Sequence, residues 1–187
     1  MRISFYFFAV VIVFLAGTVS TTPEPADAAV KTNVPIVATK ALSALSSPAR
    51  LVIPSLGMDA PIEGVGLNAK GQMAVPSGSS NNVGWYKYGT IPGQVGSAVL
   101  DAHVFAAFSK LKNVQPGADV YVITADQRTL HFVVGSKKTF ALSHLSSNQL
   151  FRPTPSRDLN LITCAGSLTA DHSTYDHRLI VYTTLVG

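Results

Sequence analysis

The chain has 187 residues, 47% of them hydrophobic and only 13% charged, which is enough to bury one substantial core and argues against two. Its net charge of +4 is mild, and no basic run with interleaved aromatic residues occurs, so nucleic acid is excluded as a partner class. A single cysteine, Cys164, rules out an internal disulfide framework.

The first predicted element is apolar. Residues 3–19 follow Arg2 and the amino terminus without a single charge, the pattern of a signal peptide or an N-terminal membrane anchor, and therefore of export. Ala26-Asp27-Ala28 suits a signal peptidase. Against cleavage, the apolar run is longer than most signal cores, though slightly short of the ~20 residues that span a bilayer comfortably. We read residues 1–19 as a retained anchor with the rest outside the membrane, a cleaved and secreted form being the second possibility. Residues 20–48 shift to Thr, Pro, Ala, Ser and Val without periodicity, which predicts a flexible or extended tether. The remaining portion is mildly basic, and its attraction to an anionic cell envelope is generic.

Residues 49–187 make up the predicted folded domain, and it reads as all-β. In chain order, LVIPSL (51–56), SAVLDAH (97–103), ADVYVITA (118–125), TLHFVVGSKKTF (129–140), LNLITC (159–164) and RLIVYTTLV (178–186) are rich in β-branched residues and bounded by Gly, Pro, Asn or Asp. Their close spacing suggests a barrel or a sandwich. Between the second and third strands, FAAFSKLKNV (105–114) has apolar residues at helical spacing and stops before Pro116-Gly117. A second short helix is predicted over residues 146–150.

Cys164 sits in LNLITCAG (159–166), and taken alone it is equally well read as a buried packing residue or a free reactive thiol. A thiol attacks only as thiolate, and its unperturbed pKa of about 8.5 leaves little of that form at neutral pH, so a base or a cation must stand nearby. Acyl transfer also needs a donor for the developing oxyanion. Strand ends supply both. His103 closes SAVLDAH, and Arg178 opens RLIVYTTLV after the turn-like AGSLTADHSTYDH. If the two last strands pair antiparallel, with backbones about 5 Å apart, Cys164 and Arg178 share one rim, and His103 is presented at a barrel mouth.

Together, VLDAH, LITC and RLIVY resemble the sortase family, whose members place a His after a strand, a Cys in a TLxTC-like motif and an Arg at the start of the last strand. VGWYKYG (83–89) and LVIPSLGMDAPI (51–62) further resemble the sortases termed class F, with class E close behind. The resemblance runs from Arg50 to the C-terminus and implies an eight-stranded β-barrel with one or two short helices, acting as a cysteine transpeptidase. It casts Cys164 as nucleophile, His103 as acid/base and Arg178 as the oxyanion or substrate-positioning group, with Thr163 shaping the groove. It implies cleavage of an LPXTG-like sorting signal through a thioacyl enzyme. The partners would be surface proteins bearing a C-terminal sorting signal and an amine acceptor, such as a cell-wall precursor or a pilin lysine, with membrane attachment through the N-terminal segment. That chemistry calls for no metal and no cofactor. Asn160 stands where the motif has Thr, and Ala102 where a Gly commonly precedes the His; neither change removes a reactive group.

Trp85, with Tyr86 and Tyr88, suits either a groove wall or the core, the core being the commoner use of aromatic residues. By fold-level analogy, residues 138–158 flank the sorting-signal groove and loop 166–177 admits the acceptor. Asp171-His172 and Asp176-His177, with Asp101 and His103, raise a zinc site, but no local signature of the H-E-x-x-H kind accompanies them. A zinc hydrolase therefore ranks well below the transpeptidase. A thiol hydrolase on the same scaffold and a noncatalytic envelope-binding domain with a buried Cys164 stay open beside it. His131 reads as an exposed strand residue and His144 as a loop residue.

Overall fold

Alternating apolar residues leave each short segment one face to bury, and a sheet closed on itself buries all of those faces at once. In the computed structural model, which describes residues 46–78 and 80–186, eight strands do this. They are β1 (Pro48–Ile53), β2 (Met58–Val65), β3 (Val83–Tyr86), β4 (Gly96–Asp101), β5 (Asp119–Thr124), β6 (Thr129–Ala141), β7 (Arg157–Leu168) and β8 (Tyr175–Leu185). They close into a barrel in the order β1-β2-β3-β4-β7-β8-β6-β5. The β2/β3 and β4/β7 pairs are parallel and the other pairs antiparallel. The anticipated anchor and nearly all of the tether lie outside the described residues. Among the described residues no helix is long and apolar enough to cross a membrane.

The interior is filled by every second residue of the wall: Leu51 and Ile53, Ala98 and Leu100, Val120 and Val122, Leu159 and Leu161, Leu179 and Val181, with Phe132 and Phe108. The intervening residues of β4, β7 and β8 point outward. There Val99, Ile162 and Ile180 form a second apolar cluster, covered by Met73, Leu145, Leu150 and Phe151 from neighbouring loops.

Six strands fall where alternation predicts them. The other two, β2 and β3, carry little strand signal: MDAPIEGV contains Pro61 and Gly64, which weaken it, and VGWY is only four residues long. LVIPSL stops being a strand at Ile53; Pro54–Leu56 is a 3₁₀ turn closed by Gly57 in the left-handed region at φ 58°. The helix expected over 105–114 is instead a run of tight turns ending in a 3₁₀ turn, Leu111–Asn113. Apart from the Phe108 N–H, which reaches His103 O, its hydrogen bonds span three residues, as in Leu111 N–H to Phe108 O, and its buried Phe108, Leu111 and Val114 recur every three residues, the period of a 3₁₀ helix. The second short helix is a 3₁₀ turn, Ser147–Gln149, with a Ser146/Gln149 capping box.

Candidate active site

The strand register assembles the site. In β7 and β8, Cys164 lies directly opposite Arg178, and on the far side of β8 Arg178 lies opposite Phe140 of β6. On the other flank, β4 runs parallel to β7 with Asp101 opposite Ile162, and the Ala102 N–H still donates to the Ile162 carbonyl at 3.4 Å. His103 follows two residues after Asp101, past the end of the paired register. One row across the outer wall reads Cys164, Arg178, Phe140. The neighbouring row reads Asp101, Ile162, Ile180, Lys138. Rows on one face of a sheet are about 6.6 Å apart.

Cys164 and Arg178 therefore stand on the outer side of the wall. Cys164 is not the last residue of its strand, because β7 continues to Leu168. The reason is parity: Leu159 and Leu161 fill the interior, so residue 164 faces out.

Charge surrounds the half-buried thiol on both sides. Burial pushes the Cys164 thiol up, the Arg178 guanidinium pulls it down, and the Asp101 carboxylate pushes it up again, with a net rise. At neutral pH the resting group is the thiol, and attack requires an acceptor for its proton. Asp101 is itself displaced: burial raises its carboxyl to about 7, against the pull of Arg178 and of the Ala102 N–H. The LDAH motif thus places the Asp101 carboxyl within electrostatic reach of the thiol.

Arg178 is held by the β7–β8 hairpin. One terminal nitrogen donates to the carbonyls of Tyr175 at 2.9 Å and His177 at 2.8 Å, and the other to Thr174 Oγ1 at 3.0 Å. That hairpin needs Gly166, whose φ is +80° at an irregularity of β7. A Cβ there would overlap Asp176 Oδ1, which accepts from the Ser167 N–H at 2.8 Å and pairs with His177 Nδ1 at 2.7 Å.

His103 lies two residues past the end of β4. Its Nε2 donates to the Pro76 carbonyl at 3.0 Å, and its ring stacks on Phe105 at 4.8 Å with 13° between planes. Pro76 belongs to the β2–β3 connection and carries no sequence signal for this contact.

Thr163 faces the interior, 1% exposed, and its hydroxyl donates to the Ala102 carbonyl at 2.7 Å, tying β7 to the backbone just before His103. A cavity of about 170 Å³ opens beside Cys164, between Phe108 and Lys112 on one side and Gly166 and Tyr175 on the other, with Thr163 and Leu179 in its lining. Trp85 does not wall the outer face. It is buried in the interior core with its indole N–H on the Thr90 carbonyl at 3.2 Å, because its place in β3 has inward parity with Val83. Tyr86 takes the outward place and packs on Phe151 at 5.3 Å. Asn160, also facing outward and buried, donates Nδ2–H to the Leu150 carbonyl at 2.6 Å, which pins the β6–β7 connection on this face. Its Oδ1 is buried without a partner.

The Asp-His pairs of the hairpin are engaged locally. Asp171 accepts from Thr169, Ser173 Oγ and the Ser173 N–H, which lower its carboxyl to about 2, and Asp176 is taken up by Ser167 and His177. Among the described residues no group of three His, Cys, Asp or Glu side chains gathers in a metal-binding arrangement. His131 lies on the Asp119 carboxylate at 2.7 Å and stacks on Tyr121.

The Sortase domain family model matches residues 51–186. No curated protein matches the chain. Among solved structures, it is similar to sortase C1 of Streptococcus agalactiae, with 22% identity over 74% of this chain and 66% of that one and a TM-score of 0.56. Sortase A from Corynebacterium diphtheriae is similar at 19% identity over 76% and 62%, with a TM-score of 0.56. Sortase C-1 from Actinomyces oris is similar at 23% identity over 74% and 71%, with a TM-score of 0.57. The chain thus spans about two thirds of the length of these structures, and at such identities the likeness is one of fold.

Proposed function

The chain belongs to the sortase family, and from that premise we propose that it is an exported cysteine transpeptidase of the class F type. One observation carries the proposal: Cys164 lies directly across from Arg178 in the β7–β8 register, and His103 follows two residues after Asp101 of β4, the strand paired with β7 on its other flank. The class assignment rests on VGWYKYG and LVIPSLGMDAPI. Export and anchoring rest on the uncharged residues 3–19.

In this reading the peptide is an LPXTG-like sorting signal at the C-terminus of a surface protein. His103 accepts the Cys164 proton, the thiolate attacks the peptide carbonyl, and Arg178 holds the oxyanion. His103 then protonates the departing amine, leaving a thioacyl enzyme. An amine of a cell-wall precursor or a pilin lysine attacks the thioester and gives up its proton as the thiol is restored. Thr163 acts from inside the wall by fixing the backbone at Ala102, and the cavity beside Cys164 gives the acceptor an approach from the hairpin side.

The test is intact mass after mixing the protein with LPXTG-like peptides, with and without an amine, beside Cys164→Ala. The expected result is a peptide-sized adduct on Cys164 that amine converts to a ligated product. Acid product in the presence of abundant amine would make the protein a hydrolase. No adduct, together with a thiol closed to alkylation in the folded protein, would replace the transpeptidase by a binding domain.

A further inference from the structure

The group that holds His103 comes from neither its own strand nor those of Cys164 and Arg178. A main-chain carbonyl has no proton to give, so at 3.0 Å from Pro76 O the ring nitrogen Nε2 must carry the hydrogen. In a neutral imidazole the other nitrogen, Nδ1, is then the bare one. We propose that the Pro76 carbonyl is a positioning group that fixes this tautomer, so that Nδ1 is the atom through which every proton of the reaction passes. The inference rests on the reading of His103 as acid/base.

The local structure is built for that contact. Pro76 can lie close on the wall because β3 carries Gly84 opposite Asp101. A Cβ at Gly84 would come 3.0 Å from Pro76 Cδ and 3.1 Å and 3.2 Å from the Val65 methyls, closer than side chains tolerate without movement. The connection that carries Pro76 is fastened on both sides of its bend. Leu67 and Met73 form a bridge, the Ala74 N–H donates to Gly66 O at 2.9 Å, and the Met73 side chain packs against the outer apolar cluster. The proline ring fixes φ at residue 76, which narrows the backbone freedom of the segment that carries this carbonyl. Phe105, stacked on the ring, sets its plane. One nitrogen is thereby committed and the ring plane is fixed, which is what a group that must accept and return a proton at one place requires.

The proton count closes. The Cys164 S–H proton moves to Nδ1, making an imidazolium with Nε2–H still on Pro76. The thiolate sulfur bonds to the carbonyl carbon; as the C–N bond breaks, the Nδ1 proton leaves on the departing amine and the ring is neutral again. The incoming amine bonds to the same carbon and passes a proton to Nδ1, and the sulfur departs as thiolate and takes that proton back.

The experiment is ¹⁵N NMR of the His103 ring in the full chain at a pH where it is neutral, with turnover of an LPXTG-like peptide using hydroxylamine as the amine. Expected is a protected Nε2–H resonance with Nδ1 unprotonated. Gly84→Ala, whose Cβ must displace Pro76 or Val65 by a few tenths of an ångström, should lose that protection and lower kcat roughly three- to tenfold, the range of one hydrogen bond, with KM kept. If Gly84→Ala fails to fold, Pro76→Gly loosens the same carbonyl without adding a Cβ and is expected to do the same. An Nδ1–H tautomer in the wild type, or loss of the protected resonance with kcat unchanged, would overturn the inference. His103→Gln separates the two levels: full activity there removes the acid/base reading itself, whereas lost activity beside an Nδ1–H ring removes only the role of Pro76.

Discussion

The inner and outer faces of β4, β7 and β8 are built from alternate residues of the same three segments, yet they hold different chemistry. Inward stand Ala98, Leu100, Leu159, Leu161, Leu179 and Val181, all nearly or wholly buried and in one cluster. Outward stand Asp101, Cys164 and Arg178, next to Val99, Ile162 and Ile180. The inner face packs against itself as the barrel core, whereas the outer face is covered by loops. The difference teaches that a change one residue along the same strand should move from stability to activity.

The sharpest test of that division is Cys164→Ala. It removes the only thiol and should abolish thioacyl formation, seen by intact mass, while thermal unfolding stays close to wild type because the half-buried sulfur contributes little packing. Arg178→Ala comes next. Loss of an oxyanion donor costs roughly two to three orders of magnitude in kcat, and near-normal turnover would reject the role proposed for it. Arg178→Lys should recover little, since one ammonium cannot reach the Tyr175 and His177 carbonyls and Thr174 Oγ1 as the fork does.

Leu161→Ala crosses to the other face three residues from Cys164. It is fully buried, so the truncation should cost about 2–5 kcal/mol in denaturant unfolding while turnover per folded molecule is unchanged. An equal loss of kcat would break the division between faces.

Much of this division is legible in the sequence. Period-two alternation locates six strands, and the fourteen-residue spacing that joins Cys164 to Arg178 corresponds to the hairpin whose register pairs them. What alternation does not reveal is which parity faces in. That depends on the closure of the whole barrel, so Trp85, which suits a groove wall by composition, stands in the interior, and Cys164 and Arg178 take the outward parity. Likewise, LDAH contains Asp101 two residues before His103, but the burial that raises its carboxyl comes from elements distant in the chain. The Pro76 carbonyl is a backbone group 27 residues away from His103, and side-chain patterns carry no mark of it.

Asp101→Asn sharpens the electrostatics of the outer face. Folded Asp101 keeps its proton up to about pH 7, while the unfolded chain releases it near about 4. Between these values unfolding releases a proton, so this group makes stability fall as pH rises, and the contribution levels off above about 7. The Asn variant should lack that slope in unfolding measured across the same window. Above it the variant should also alkylate faster at Cys164, by roughly severalfold, because the carboxylate that holds the thiol up is gone. Slower alkylation would show that Asp101 acts on the thiol in the opposite sense.

The smallest effect is expected at Asn160, where the outer face is polar but remote from the row of Cys164. Its Nδ2–H fastens the Leu150 carbonyl at 2.6 Å, a favourable bond, while its Oδ1 is buried without a partner, an unfavourable one. Asn160→Ala removes both, so the two terms offset and unfolding should shift by less than about 1 kcal/mol. The β6–β7 connection loses its fastening all the same, and hydrogen exchange near Leu150 and Phe151 should quicken without a matching loss of global stability. Asn160→Asp keeps the oxygen and removes the donor, setting a carboxylate against the Leu150 carbonyl in a buried place. It should therefore destabilise more than the alanine, and the reverse order would mean that the amide contributes packing rather than a hydrogen bond to this face.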